Sequence, residues 1–164
     1  MKLFNKHDLT QIGTLIISKK QTLAVAESVT SGLMQHAFGS IEDASQFYQG
    51  GITVYNIGQK HKHLSVEPIH ALAVNCVSKK VSEEMALEVS NLFNSNWGIS
   101  ITGYASPTPD SGNKLFAYFS IAFNREILKS DKLSTSLKDP FKVQVFYVTT
   151  ILDEIKRLLN HDGS

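Results

Sequence analysis

Leu23-Ala24-Val25-Ala26-Glu27-Ser28-Val29-Thr30-Ser31-Gly32 decides how this chain is read, because an apolar run breaks off into a carboxylate, three hydroxyls and a glycine. A strand that delivers such groups to a turn opening into a helix is a common way to build a reactive edge on an α/β sheet. Downstream, Leu33 to Phe38 reads as a short helix, with Thr30 or Ser31 available as its cap and Gly39-Ser40 as its end. Upstream, Leu9, Ile12, Leu15 and Ile16 recur at helical spacing, and Lys19-Lys20 close that segment.

Further along, Ile52-Thr53-Val54-Tyr55 is β-branched and aromatic, follows Gly50-Gly51, and reads as a second strand. Asn56 to Leu64 predicts a short basic helix, and Val66-Glu67-Pro68 opens another with proline at an early position. The stripe Val81, Met85, Val89, Leu92 and Phe93 marks a longer amphipathic helix over Ser78 to Phe93. Trp97 to Gly103 is a third strand, followed by a Pro-, Ser-, Asp- and Gly-rich loop to Asn113. Leu115 to Phe123 and Ile127 to Leu133 are too close for a crossover helix and predict a hairpin through Asn124-Arg125-Glu126. From Asp139-Pro140 the chain ends in an amphipathic helix. The expected architecture is α/β: one three-layer domain over residues 1–164, with a mixed sheet of about five or six strands and helices on both faces.

Composition narrows the function. The 164 residues suit one domain, and 42% apolar with 19% charged residues is ordinary for a packed globular chain. A formal net charge of +1 offers no basic footprint for nucleic acid or an anionic membrane. The single cysteine, Cys76, excludes an intrachain disulfide and fits a reducing compartment, where a small apolar role is its default. The first residues lack the apolar core of a signal peptide, and no segment reaches the ~20 apolar residues of a membrane span, so a cytoplasmic location is expected.

Three strand ends carry candidate chemistry: Glu27-Ser28, Tyr55 and Thr102. On local sequence alone, Ser28 and Thr102 serve equally well as hydroxyls satisfying backbone groups at turns. Lys60 follows Tyr55 by five positions, near enough for a short helix to return its amine to the same edge, where a crowded lysine can serve as base for a serine. His61-Lys62-His63 reads as a solvated basic face, since histidines at i and i+2 on a helix point apart and no third metal ligand is suitably spaced. No P-loop, GxSxG elbow, HExxH pair or dinucleotide GxGxxG is present.

In order and spacing, Ala26-Glu27-Ser28-x-Thr30-x-Gly32, Gly51-Ile52-Thr53-Val54-Tyr55-Asn56 with Lys60, Val77-Ser78 with Glu84-Met85-Ala86, and Ile101-Thr102-Gly103-x-Ala105-x-Pro107 resemble the CinA C-terminal domain family. The resemblance covers nearly the whole chain. It implies a stand-alone α/β amidohydrolase, without metal or organic cofactor, that converts nicotinamide mononucleotide to nicotinic acid mononucleotide and ammonia. It also implies a cytoplasmic homodimer or higher homo-oligomer whose partner is a small-molecule nucleotide.

Carried over by the resemblance, Ser28 is the nucleophile, Lys60 its activating base, Tyr55 an aid to proton transfer or positioning, and Thr102 a site threonine. Glu27, Thr30, Ser31, Gly32, Gly103 and Lys142 complete the implied substrate-binding set, with oxyanion donors from the backbone near Thr30 to Gly32. The family motif has cysteine where this chain has Val29 and glycine where it has Ser31 and Ser106, and Lys142 is the nearest cation to the family's late arginine. A non-catalytic relative that binds a nucleotide or protein, or an amidase for another small amide, stays open beside the deamidase reading.

Overall fold

The computed structural model describes residues 3–161. Its centre is one five-stranded mixed sheet in the order β2-β1-β3-β4-β5. The strands are β1 Leu23–Glu27, β2 Tyr48–Thr53, β3 Trp97–Gly103, β4 Leu115–Phe123 and β5 Glu126–Thr135. β1 runs parallel to both neighbours, whereas β3, β4 and β5 alternate antiparallel. β4 and β5 form the expected hairpin, and Asn124 and Arg125 both take positive φ at its turn, the conformation that matches the twist of a tight hairpin.

Among the described residues, six α-helices flank the sheet: α1 Lys6–Ser18, α2 Leu33–Gly39, α3 Ile57–Leu64, α4 Pro68–Ala73, α5 Lys79–Leu92 and α6 Pro140–His161. Alternation along β1 sorts them. Leu23 and Val25 face a core built with α1, α2 and α6, while Ala24 and Ala26 face a second core built with α3, α4 and α5. The chain leaves β1 for β2 through α2 on one face and leaves β2 for β3 through α3, α4 and α5 on the other. Connections that run in opposite directions along the sheet must use opposite faces if both crossovers are right-handed. β1 therefore marks the point where the strand order reverses, and a crevice opens there at the carboxyl ends of β1 and β3.

One sequence expectation shifts. β2 begins at Tyr48 and ends at Thr53, so Tyr55 lies past the strand, in the connection to α3. Val54 still donates its amide to the Glu27 carbonyl (2.9 Å), which carries the sheet pairing beyond the strand. The five strands agree with the expected mixed sheet. No helix among the described residues is long and apolar enough to cross a membrane.

Candidate active site

Ser28 stands where β1 stops. Its amide donates to the Ile101 carbonyl of β3 (3.1 Å), so the residue leaves the strand with its backbone still tied to the sheet. Ser31 (φ 49°) and Gly32 (φ 100°) then turn the chain sharply, and the Ser31 amide closes the turn on the Ser28 carbonyl (3.2 Å). Gly32 needs the freedom of a residue without Cβ, and Ser31 holds a conformation that glycine adopts at lower cost. The Ser31 N–H is thereby withdrawn from the donors expected to face an oxyanion.

Glu27 corrects the expected helix cap. Gly32 occupies the N-cap position of α2 and offers no side chain, and neither Thr30 nor Ser31 caps the helix. Instead the fully buried Glu27 carboxylate accepts from the Met34 amide (2.8 Å), the Gln35 amide (2.9 Å) and the Thr30 hydroxyl (2.5 Å). A helix start presents free amides and partial positive charge, and a carboxylate brought up from the strand satisfies both. Glu27 and Thr30 are thus bonded to each other and to α2, beneath the serine.

Lys60 reaches the same point from α3. Asn56 caps that helix by accepting from the Gln59 amide (3.0 Å), which sets Lys60 on the turn facing β1. Its Nζ donates to Ser28 Oγ (2.9 Å) and to the Val54 carbonyl (2.9 Å). The side chain is 1% exposed, and no carboxylate among the described residues forms an ion pair with it. Burial holds its pKa below the usual lysine value, with a partial offset from the Cys76 thiol. Such an amine gives up its proton more readily than a surface lysine, and its lone pair can then accept from the serine hydroxyl.

Thr102, at the end of β3, donates its hydroxyl to the Cys76 carbonyl (2.8 Å). That bond fixes the α4–α5 connection, in which Asn75 and Cys76 both adopt positive φ, against the site. Asn75 Nδ2 donates to the Tyr104 hydroxyl (3.2 Å) across the opening. From α6, Gln144 Nε2 donates to the Val29 carbonyl (2.8 Å) and Tyr147 donates to the Tyr104 carbonyl (2.9 Å).

These groups enclose an open cavity of about 470 Å³. Of the ten expected site residues, Ser28, Lys60, Tyr55, Thr102 and Gly103 line it. Glu27, Thr30, Ser31, Gly32 and Lys142 are not among its lining residues. Tyr55 is 71% exposed at the rim and makes no hydrogen bond to Ser28 or Lys60. Gly103 is explained by packing, since a Cβ there would collide with Ala117 of β4.

Lys142 is exposed on α6, two residues from both Pro140 and Gln144, which do line the cavity. A step of two residues rotates roughly 200° around a helix, so Lys142 lies on the far side from the face that Pro140 and Gln144 share. The sequence reading missed Asn75 and Gln144, took Tyr104 only as part of the loop after β3, and assigned Cys76 an apolar role. Cys76 does pack against the second core, as a small apolar residue would, and it also lines the cavity, where burial pushes its thiol pKa up with a partial offset from Lys60. An asparagine between the short α4 and the longer α5 was the available signal, because asparagine is tolerated in the left-handed region. His61 and His63 lie apart from the site, Nδ1 of the first 3.1 Å from the Val66 carbonyl and Nε2 of the second 3.0 Å from Gln59 Oε1.

The fold and site together define an α/β domain with a buried serine–lysine pair at the reversal point of its sheet. The chain belongs to the CinA C-terminal domain family, whose model matches residues 6–159. It is 35% identical over 151 residues to a CinA-like protein of Trichodesmium erythraeum and 33% identical over 151 residues to one of Prochlorococcus marinus. In both cases the match covers 90% of this chain and 36% of the relative, so the chain spans about a third of the length of these curated relatives. Among solved structures, a competence-damaged protein (CinA) superfamily protein from Klebsiella pneumoniae shares the fold at TM-score 0.89 and 24% identity, covering 96% of this chain and 99% of that one. A competence/damage inducible protein from Agrobacterium tumefaciens shares it at TM-score 0.80 and 22% identity, covering 98% and 99%.

Proposed function

We propose that the chain is an amidohydrolase that attacks a small carboxamide with Ser28, using Lys60 as its base. The carboxamide of nicotinamide mononucleotide is the first candidate substrate, with nicotinic acid mononucleotide and ammonia as products. The observation that supports this reading is the 2.9 Å contact between Lys60 Nζ and Ser28 Oγ inside a cavity, with the lysine buried and lacking a carboxylate partner.

In this reading neutral Lys60 takes the Ser28 proton as Oγ bonds to the amide carbon. The tetrahedral adduct collapses by breaking the C–N bond, and Lys60 returns the proton to the departing nitrogen, which leaves as ammonia. Water, deprotonated by Lys60, then attacks the Ser28 ester; the C–Oγ bond breaks, Lys60 returns the proton to Ser28 Oγ, and the acid is released. The Val54 carbonyl holds Nζ in place through both steps. A cytoplasmic homo-oligomer is part of the same proposal. Purified protein incubated with nicotinamide mononucleotide should release ammonia, and Ser28→Ala should abolish the release. No release above the Ser28→Ala background would contradict deamidation of this substrate.

A further inference from the structure

A second cavity, of about 650 Å³, opens where β4 begins and β5 stops. Two connections form its walls: Pro107, Asn113 and Lys114 belong to the loop after β3, and Ser136 and Lys138 to the stretch that leads into α6. Neighbours on the same two stretches, Ser106 and Thr108 on the first and Pro140 on the second, line the cavity of Ser28. The two cavities therefore share walls.

Lys114, Lys132 and Lys138 line the second cavity, and no carboxylate does. That is a dense local charge for a chain whose formal net charge is +1. None of the three lysines forms an ion pair among the described residues. Asp131 and Asp139, their neighbours in the chain, are bonded to Lys129 (3.4 Å) and to the Lys142 amide (2.8 Å).

Lys132 is also held in position. It lies opposite Tyr118 in the β4–β5 register, and its Nζ stands 4.2 Å from the centre of the Phe116 ring and 5.7 Å from that of Tyr118. Aromatic faces attract an ammonium without neutralising it, so the charge is placed and still available to an anion. Ser134, opposite Phe116, and Ser136 add hydroxyls that bond to nothing else among the described residues.

We propose that this second cavity binds a small ligand through a diphosphate group. Three ammonium groups match the roughly three negative charges of a diphosphate near neutral pH, and the serine hydroxyls supply further donors to its oxygens. A nucleic acid or an anionic membrane calls for an extended basic surface, whereas these charges converge on a recess. The site uses nothing of Ser28 or Lys60, so it stands or falls apart from the amidohydrolase reading.

The test is titration calorimetry on the full chain at low ionic strength, with inorganic pyrophosphate, orthophosphate and ADP as probes. We expect pyrophosphate to bind with a Kd of about 1 mM or tighter and orthophosphate at least about tenfold more weakly. The pyrophosphate affinity should fall about tenfold in Lys132→Gln and in the double variant Lys114→Gln/Lys138→Gln. All three lysines are exposed, so these variants keep the fold. ADP bound more tightly than pyrophosphate makes the ligand a nucleotide, and ADP bound equally or less tightly makes the diphosphate alone the recognised group; both uphold the site. No binding of pyrophosphate, orthophosphate bound as tightly, or an affinity unchanged in either variant overturns it.

Discussion

Ser28 rests on backbone that the sheet holds, and Lys60 reaches it from α3 with its Nζ bonded to Ser28 and the Val54 carbonyl, whereas Tyr55 and Ser106 come from connections past the strands and Gln144 from α6. The Glu27 carbonyl accepts from Val54 and the Ser28 amide donates to Ile101, so the serine is bonded on both flanks. The rim has no such frame: Tyr55 is largely exposed, Ser106 is exposed, and Gln144 is tied to the site through the Val29 carbonyl. The pair that would make and break bonds is rigid and buried, and the groups that would select a substrate are loosely held and uncharged. Preorganisation helps most at the reacting atoms, while rim residues can vary with little cost to the fold.

Substitutions break this comparison in a definite order. Ser28→Ala should have the largest effect, lowering ammonia release by at least about 1,000-fold in a steady-state assay, because no second nucleophile is bonded to Lys60. Lys60→Met should cost roughly 100- to 10,000-fold, and Lys60→Arg should be as inactive, since a guanidinium does not give up its proton. In the unaltered protein the neutral amine is the active form, so kcat/KM should rise with pH along a limb centred below 10.5, the ordinary lysine value.

Stability follows the same group. The folded state binds this proton less readily than the unfolded chain, so unfolding free energy should increase with pH between the lowered pKa and 10.5. Denaturant titrations at several pH values should show that increase in the unaltered protein and a flatter profile in Lys60→Met.

Glu27→Gln should leave Lys60 bonded to Ser28 but weaken the start of α2, destabilising the protein by about 1.5–3 kcal/mol in a denaturant titration. Thr102→Val removes the bond to the Cys76 carbonyl and should cost about 1 kcal/mol, with a rise in KM larger than the fall in kcat. At the rim, Ser106→Arg should barely change stability and should lower KM for the nucleotide by up to about tenfold. An effect of Ser106→Arg on stability comparable to that of Glu27→Gln would erase the distinction between frame and rim.

Much of the frame was legible because its signals are local and periodic. The unbroken apolar run Leu23–Ala26 marked β1, which the structure covers on both faces, and the stripe Val81, Met85 and Val89 marked α5. Lys60 could be placed near Ser28 because the lysine lies one short helix beyond a strand that pairs with β1. The role of Glu27 was not legible. A carboxylate beside a serine reads as chemistry, and only the packed turn reveals that its acceptors are spent on α2. Lys142 failed for a rotational reason, since a shift of two residues along α6 carries a side chain to the other face. Asn75 and Gln144 were missed because their approach to the cavity depends on contacts between elements distant in sequence.

The central claim is that buried Lys60 activates Ser28, and it can be tested without knowing the substrate by following covalent labelling with an aryl fluorophosphonate by intact mass across pH. The account predicts one adduct, on Ser28, with a labelling rate that rises with pH around a midpoint below 10.5 and falls at least about 100-fold in Lys60→Met. An adduct elsewhere, or a Lys60→Met variant labelled at the same rate with the same pH dependence, would contradict it.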